Sequence, residues 1–186
     1  GLVHAREGET AMADDSFRRA LRIDAANSQA RNNYAAFLFA NDRFEDAYEE
    51  LQRVVQDTAY TGRAQAFENL GMAALRLERG ADAEQAFNRA LLLNPNQLRS
   101  SLELANLALS RQDVLQARAH YSKYLTLLQF YNLGHNARSL WVGVQLENAL
   151  GNSAGMQTLG SQLEAQFSAS AEYRLYQQLR DTQNND

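Results

Sequence analysis

A chain of 186 residues with a hydrophobic fraction of 45% has room for one globular domain or a short solenoid with a buried core. Its net charge of −4 offers no basic surface to a phosphate backbone, and the lack of Cys excludes thiol and disulfide chemistry. No stretch approaches the roughly 20 apolar residues of a membrane span.

In chain order, the apolar spacing predicts helices near 1–7, 10–22, 28–40, 43–56, 63–79, 81–93, 97–110, 113–128, 136–150, 153–167 and 170–181. Polar punctuation separates them at Gly8-Glu9-Thr10, Asn41-Asp42, Gly80, Gln112-Asp113 and Gly151-Asn152-Ser153. Asn94-Pro95 stops another, because Pro disfavours a helical residue before it. No segment alternates apolar and polar residues long enough for a sheet.

These helices repeat. Counted from Ala64 as position 1, Phe67 falls at 4, Leu70 at 7, Gly71 at 8, Ala83 at 20, Phe87 at 24, Ala90 at 27 and Pro95 at 32, the pattern of a 34-residue tetratricopeptide repeat. A copy from Ser28 gives Tyr34, Ala35, Leu38, Ala47 and Leu51. One from Leu98 gives Leu104, Ala105, Ala108, Ala117, Tyr121 and Tyr124. A truncated first copy places Gly1 at 8, His4 at 11, Ala13 at 20, Phe17 at 24 and Ala20 at 27. A looser fifth begins near Asn136, with Val142, Gly143, Leu146, Gly155 and Leu159. Small residues at 8, 20 and 27 let antiparallel helices approach, and large ones at 4, 7, 11 and 24 fill the seam. The expected fold is all-α, a right-handed superhelical solenoid over 1–182. Its repeats are placed at about 1–27, 28–61, 64–97, 98–131 and 136–169, with a capping helix over 170–181 and a frayed tail over 183–186. On the last helix Tyr173, Leu175, Tyr176 and Leu179 are expected to face inward, opposite Glu172, Gln177, Gln178 and Arg180. The N-terminus reads as trimmed inside a helix, with any signal peptide or lipid-attachment Cys lying upstream.

Nothing in the chain assembles into a catalytic constellation. His4, His120 and His135 are far apart in repeat order and lack metal-ligand spacing; His4 reads as a seam residue, His120 and His135 as solvated. Asp14-Asp15, Glu45-Asp46 and Glu49-Glu50 read as solvated helix faces. No enzyme activity, cofactor or metal site is expected.

The inner faces of the first helices of each repeat remain. Positions 2, 5, 9, 12 and 13 supply Gln29, Asn32, Phe39 and Ala40, then Gln65, Glu68, Met72, Leu75 and Arg76, then Arg99, Leu102, Asn106, Leu109 and Ser110. Phe39, Met72, Leu75, Leu102 and Leu109 are apolar for a face meant only for water, which suits an amphipathic helix or extended peptide. A neighbouring element of the protein filling that groove is the competing account. A clamp for a C-terminal carboxylate is disfavoured, because Asn32 stands opposite Gln65 and Glu68 rather than cations. Asn32, Asn69 and Arg138 are expected to bond backbone in the turns.

One ordered set of segments is more specific than a repeat consensus. It runs Asn32-Asn33-Tyr34, Phe37-Leu38, Arg43-Phe44-Glu45-Asp46-Ala47-Tyr48, Gln56-Asp57-Thr58-Ala59-Tyr60 and Phe67-Glu68-Asn69-Leu70-Gly71. It continues through Leu91-Leu92-Leu93-Asn94-Pro95-Asn96-Gln97, Leu102-Glu103-Leu104-Ala105 and Asn136-Ala137-Arg138-Ser139-Leu140-Trp141. In this order the chain resembles, from Gly1 to about Tyr176, the type IV pilus biogenesis and stability lipoproteins of the PilF/PilW pilotin family. The resemblance implies a lipid-anchored protein on the periplasmic face of the outer membrane that helps the pilus secretin reach that membrane and multimerise. It implies a secretin subunit as partner, membrane contact only through an N-terminal lipid, and no cofactor; the net charge argues against nucleic acid, and a monomer is expected. The family's lipidated Cys and complete first repeat have no counterpart in this sequence. A general tetratricopeptide adaptor, or a docking fragment of a larger enzyme, stays open beside this.

Overall fold

The structure, a computed structural model, describes residues 2–183 and the side chains of 8–182. Every regular element among the described residues is an α-helix, and the chain divides into two compact units, residues 1–97 and 98–186.

The first unit holds α1 (Leu2–Ile23), α2 (Ser28–Ala40), α3 (Phe44–Val54), α4 (Arg63–Arg76) and α5 (Gly80–Leu93). Helices α2 and α3 form one hairpin and α4 and α5 another, with α3 packed on α4 and α1 on α2. The expected break at Gly8-Glu9-Thr10 does not form: α1 runs through it. A glycine inside a helix costs only about 1 kcal/mol relative to Ala, too little to end a helix flanked by good formers. The seam placement expected for His4 lies outside the described side chains; of the tail expected to fray over 183–186, Gln183 still belongs to the last helix, and 184–186 lie outside the described residues. Ala83, Phe87 and Ala90 are fully buried on α5, as the repeat positions require. Gly71 lies beneath Phe87, where an added Cβ would stand 2.6 Å from the ring. The same two repeat positions in the preceding hairpin hold Ala35 and Leu51, both buried. A larger residue at position 24 is thus matched by a smaller one at position 8.

The second unit holds α6 (Leu98–Ser110), α7 (Val114–Phe130), α8 (Ala137–Ala149), α9 (Ser153–Phe167) and α10 (Ala171–Gln183). Helices α6 and α7 pair, α8 and α9 pair, and α10 lies against both α8 and α9. Leu102, Ala105, Tyr121, Tyr124, Val142 and Leu146 belong to one core cluster; Leu140, Val144, Met156, Leu163, Tyr173 and Tyr176 form another. The Tyr121 hydroxyl donates to the Ser139 carbonyl at 3.0 Å, which gives its buried oxygen a partner. Leu175, expected to face inward, is 43% exposed. Helical spacing explains this, since Tyr173, Tyr176 and the half-buried Leu179 define a stripe that Leu175 misses.

Four turns carry a non-glycine residue in the left-handed region, Asp42, Glu78, Gln112 and Asn132, and a fifth carries Gly151. Each closes in the same way. The amide after the left-handed residue reaches back five residues, as in Arg43 N to Leu38 O at 3.0 Å and Arg79 N to Ala74 O at 2.9 Å. The left-handed residue's own amide reaches back three, as in Glu78 N to Leu75 O at 3.1 Å. This is the double closure that satisfies the orphan carbonyls of a helix end. Glu78 therefore makes the turn that the sequence suggested for Gly80, which instead opens α5. Helix starts are capped by Asn27, Asp113 and Asn152, and Asn136 with Ser139 forms a capping box.

Candidate protein-binding faces

In the first unit the residues proposed for binding divide into a polar ladder and an aromatic corner. Gln29 donates to Asn33 Oδ1 at 3.0 Å and accepts from the Tyr60 hydroxyl at 3.2 Å. Gln65 Nε2 reaches both Glu68 Oε1 and Asn69 Oδ1 at 3.2 Å. Asn69 Nδ2 in turn lies 3.4 Å from Asn32 Oδ1, linking α4 to α2. Asn32 and Asn69 thus bond each other's side chains, not turn backbone as expected. Asn32 and Glu68 are buried, whereas Gln29 and Gln65 are exposed. The corner is built by Phe39 of α2, Phe44 of α3 and Arg76 of α4. The two rings meet edge to face at 5.2 Å, and the Arg76 guanidinium stands 4.1 Å from the Phe44 centroid. Met72 and Leu75 are half-buried on the same helix as Arg76. The arrangement offers amides, one exposed cation and accessible apolar surface, which suits polypeptide contact better than small-molecule chemistry.

In the second unit Arg99 is exposed and Asn106 and Leu109 are half-buried on α6. Leu102 departs from expectation: it is 4% exposed and belongs to the core cluster, because α6 packs against both α7 and α8. Arg138, expected to bond turn backbone, forms a two-pronged pair with Glu103, Nε to Oε1 at 2.7 Å and Nη2 to Oε2 at 2.5 Å. The hydrogen bond that Arg138 donates to Glu103 raises the Arg138 pKa further, against its burial. His135, expected to be solvated, is half-buried with Nδ1 3.1 Å from Ser139 Oγ, and burial lowers its pKa. Burial likewise pushes the Tyr121 hydroxyl up, with Tyr124 and Glu147 adding to the shift. Both groups serve the start of α8. Among the described residues no helix is long and apolar enough to cross a membrane, and no three His, Asp or Glu cluster as metal ligands would.

Comparison with known proteins follows the same lines. The tetratricopeptide repeat family model matches residues 64–97. The type IV pilus assembly protein PilF of Pseudomonas aeruginosa is 35% identical over 176 residues, spanning 95% of this chain and 68% of that protein. A solved structure from the functional characterization of Pseudomonas aeruginosa pilF superposes with a TM-score of 0.83 at 35% identity, over 95% of this chain and 77% of that one. PilW, described as a widely conserved type IV pilus biogenesis factor, gives a TM-score of 0.72 at 26% identity, over 88% and 73% of the two chains. MamA, at 16% identity and a TM-score of 0.69 over 98% and 95%, shares the fold alone.

Proposed function

The chain belongs to the PilF family of type IV pilus assembly proteins, and from that premise we propose that it binds a subunit of the pilus secretin and assists its outer-membrane placement and multimerisation. The observation that carries the proposal is the 35% identity maintained over 95% of the chain, well beyond the single repeat that the family model matches. The repeat architecture adds a physical reason. Consensus positions are spent on helix packing, and what is left on α2, α4 and α6 is a set of amides and half-buried apolar side chains.

On this account Gln29, Asn32, Phe39, Gln65, Glu68, Met72, Leu75 and Arg76 meet the partner in the first unit, and Arg99, Asn106 and Leu109 in the second. Asn32 and Glu68 act through the ladder they hold. A secretin segment covers Met72 and Leu75 during transit and leaves when secretin subunits pair with each other. Capture is favourable only while the covered area outweighs the cost of ordering the segment. The protein works as a monomer without a cofactor, held to the periplasmic face of the outer membrane by a lipid on the N-terminus of the full-length form.

Binding of purified secretin subunit to the wild-type chain and to Met72→Glu/Leu75→Glu tests this. Affinity should fall by about ten-fold or more, since a charge left in a covered apolar contact costs at least ~1.4 kcal/mol, with helicity by circular dichroism unchanged. Undiminished secretin binding by the folded double variant would overturn the assignment of this face.

A further inference from the structure

Two clefts open in the first unit at the same place in successive repeats. One, of about 400 Å³, is lined by α1, α2 and α3; the other, of about 600 Å³, by α3, α4 and α5. With Ser28 and Ala64 each counted as position 1, Arg31 corresponds to Phe67, Glu49 to Gln85, Glu50 to Ala86 and Arg53 to Arg89. That correspondence makes each cleft a control for the other.

The first cleft satisfies its own charges. Arg31 pairs with Glu50, their side chains 15% and 14% exposed. Glu50 also takes Arg53, which reaches Glu49 at 3.8 Å. Arg43 adds contacts to Asp14 at 2.6 Å and Asp46 at 2.7 Å.

The second cleft has lost the counterparts of Glu49 and Glu50 and kept that of Arg53. Phe67 and Ala86 stand where the Arg31–Glu50 pair stood, and Val55 and Leu70 extend the apolar lining. Leu92 and Leu93, also in the lining, are 71% and 47% exposed. Arg89 keeps the place of Arg53, but Gln85 and Ala86 occupy the positions of the two glutamates that Arg53 reaches, and Arg89 has no ion pair or hydrogen bond among the described residues. Arg63 donates from Nε to the Val55 carbonyl at 2.8 Å and lies 5.5 Å from the Phe67 centroid. Asp82, the lining's one carboxylate, already accepts from the Tyr48 hydroxyl at 3.1 Å.

From this we infer that the cleft between α3 and α5 is a second docking site, for a segment of another protein that carries a bulky apolar side chain beside Asp or Glu. The apolar group enters against Phe67, Leu70 and Ala86. The carboxylate takes the place that Glu49 and Glu50 fill one repeat earlier and meets Arg89 in a charge-assisted contact. The site lies on the α3 and α5 side, apart from the α2 and α4 face assigned above, so the two stand or fall separately.

The test is a nuclear magnetic resonance titration of the whole chain with two end-blocked peptides, Glu-Leu-Phe-Asp-Leu-Glu and the same peptide with each acid replaced by Lys. The acidic peptide should shift the amides of Phe67, Ala86, Arg89 and Leu92 and bind about ten-fold more tightly than its Lys counterpart. Phe67→Arg/Ala86→Glu rebuilds the ion pair of the first cleft and should lower affinity for the acidic peptide by about ten-fold. Arg89→Gln, an exposed change that spares the packing, should erase most of the preference for acid, and Met72→Glu/Leu75→Glu should leave it intact. Equal binding of the two peptides, shifts confined to other residues, or no shifts at millimolar peptide would each overturn the proposal. So would a concentration-dependent dimer that Phe67→Arg/Ala86→Glu abolishes, which would give the cleft to a second copy of this chain.

Discussion

The cleft between α1 and α3 closes on its own ion pairs, whereas the cleft between α3 and α5 presents an apolar wall and an unanswered guanidinium. The same repeat positions frame both. The helices beneath them follow one plan, with Ala35 and Leu51 buried in the first hairpin and Gly71 under Phe87 in the second. The difference teaches that the scaffold sets where a cleft opens, while substitution at three charged positions sets whether it is available. Repeat consensus residues are silent on this because they sit in the seams.

The comparison can be broken most severely at Glu50. Glu50→Ala gives the first cleft the residue native to the second but leaves Arg31, 15% exposed, without its carboxylate. Half-buried geometry tempers the loss expected for a fully buried pair, so unfolding in urea should show about 2–3 kcal/mol of destabilisation. At the seam, Gly71→Ala should cost about 1–3 kcal/mol, because the new Cβ would stand 2.6 Å from Phe87. Phe87→Leu in that background recreates the Ala35 and Leu51 arrangement and should restore part of the loss, visible as coupling in a double-mutant cycle. The smallest effect concerns acid. Burial pushes the Asp14 carboxyl up, but hydrogen bonds from Tyr34 and Arg43, with the charges of Arg43 and Arg18, outweigh it and hold the pKa below its ordinary value. Its contribution is therefore complete above the unfolded pKa near 3.8 and lost as pH falls through the lower folded value. Asp14→Asn should flatten the acid limb of a stability profile by less than about 1 kcal/mol. The corresponding position beside the second cleft is Tyr48, so this acid dependence belongs to the first cleft.

Much of the architecture was legible in the sequence because packing in a hairpin seam leaves a size signature. Ala83, Phe87 and Ala90 were identifiable from spacing alone, and Val142, Gly143 and Leu146 follow the rule even in the looser fifth copy. Side-chain pairing between helices was not legible. Asn32 with Asn69, and Glu103 with Arg138, lie 37 and 35 residues apart, and such partners are fixed only once neighbouring repeats stack. Leu102 shows the limit of position rules: the fifth residue of a first helix faces outward only if the next repeat leaves it uncovered. The second cleft did leave a trace, the change from Glu49-Glu50 to Gln85-Ala86, but at positions no consensus weighs.

The helix turns carry a consequence for divergence. Because main-chain amides and carbonyls make each joint, Asp, Glu, Gln, Asn and Gly all serve at the pivot with the same hydrogen bonds. Lineages can accept drift at these pivots for about 1 kcal/mol of backbone strain each, the difference a glycine would remove. The closure of each turn is thus written in main-chain hydrogen bonds, which the side-chain identity at the pivot does not display.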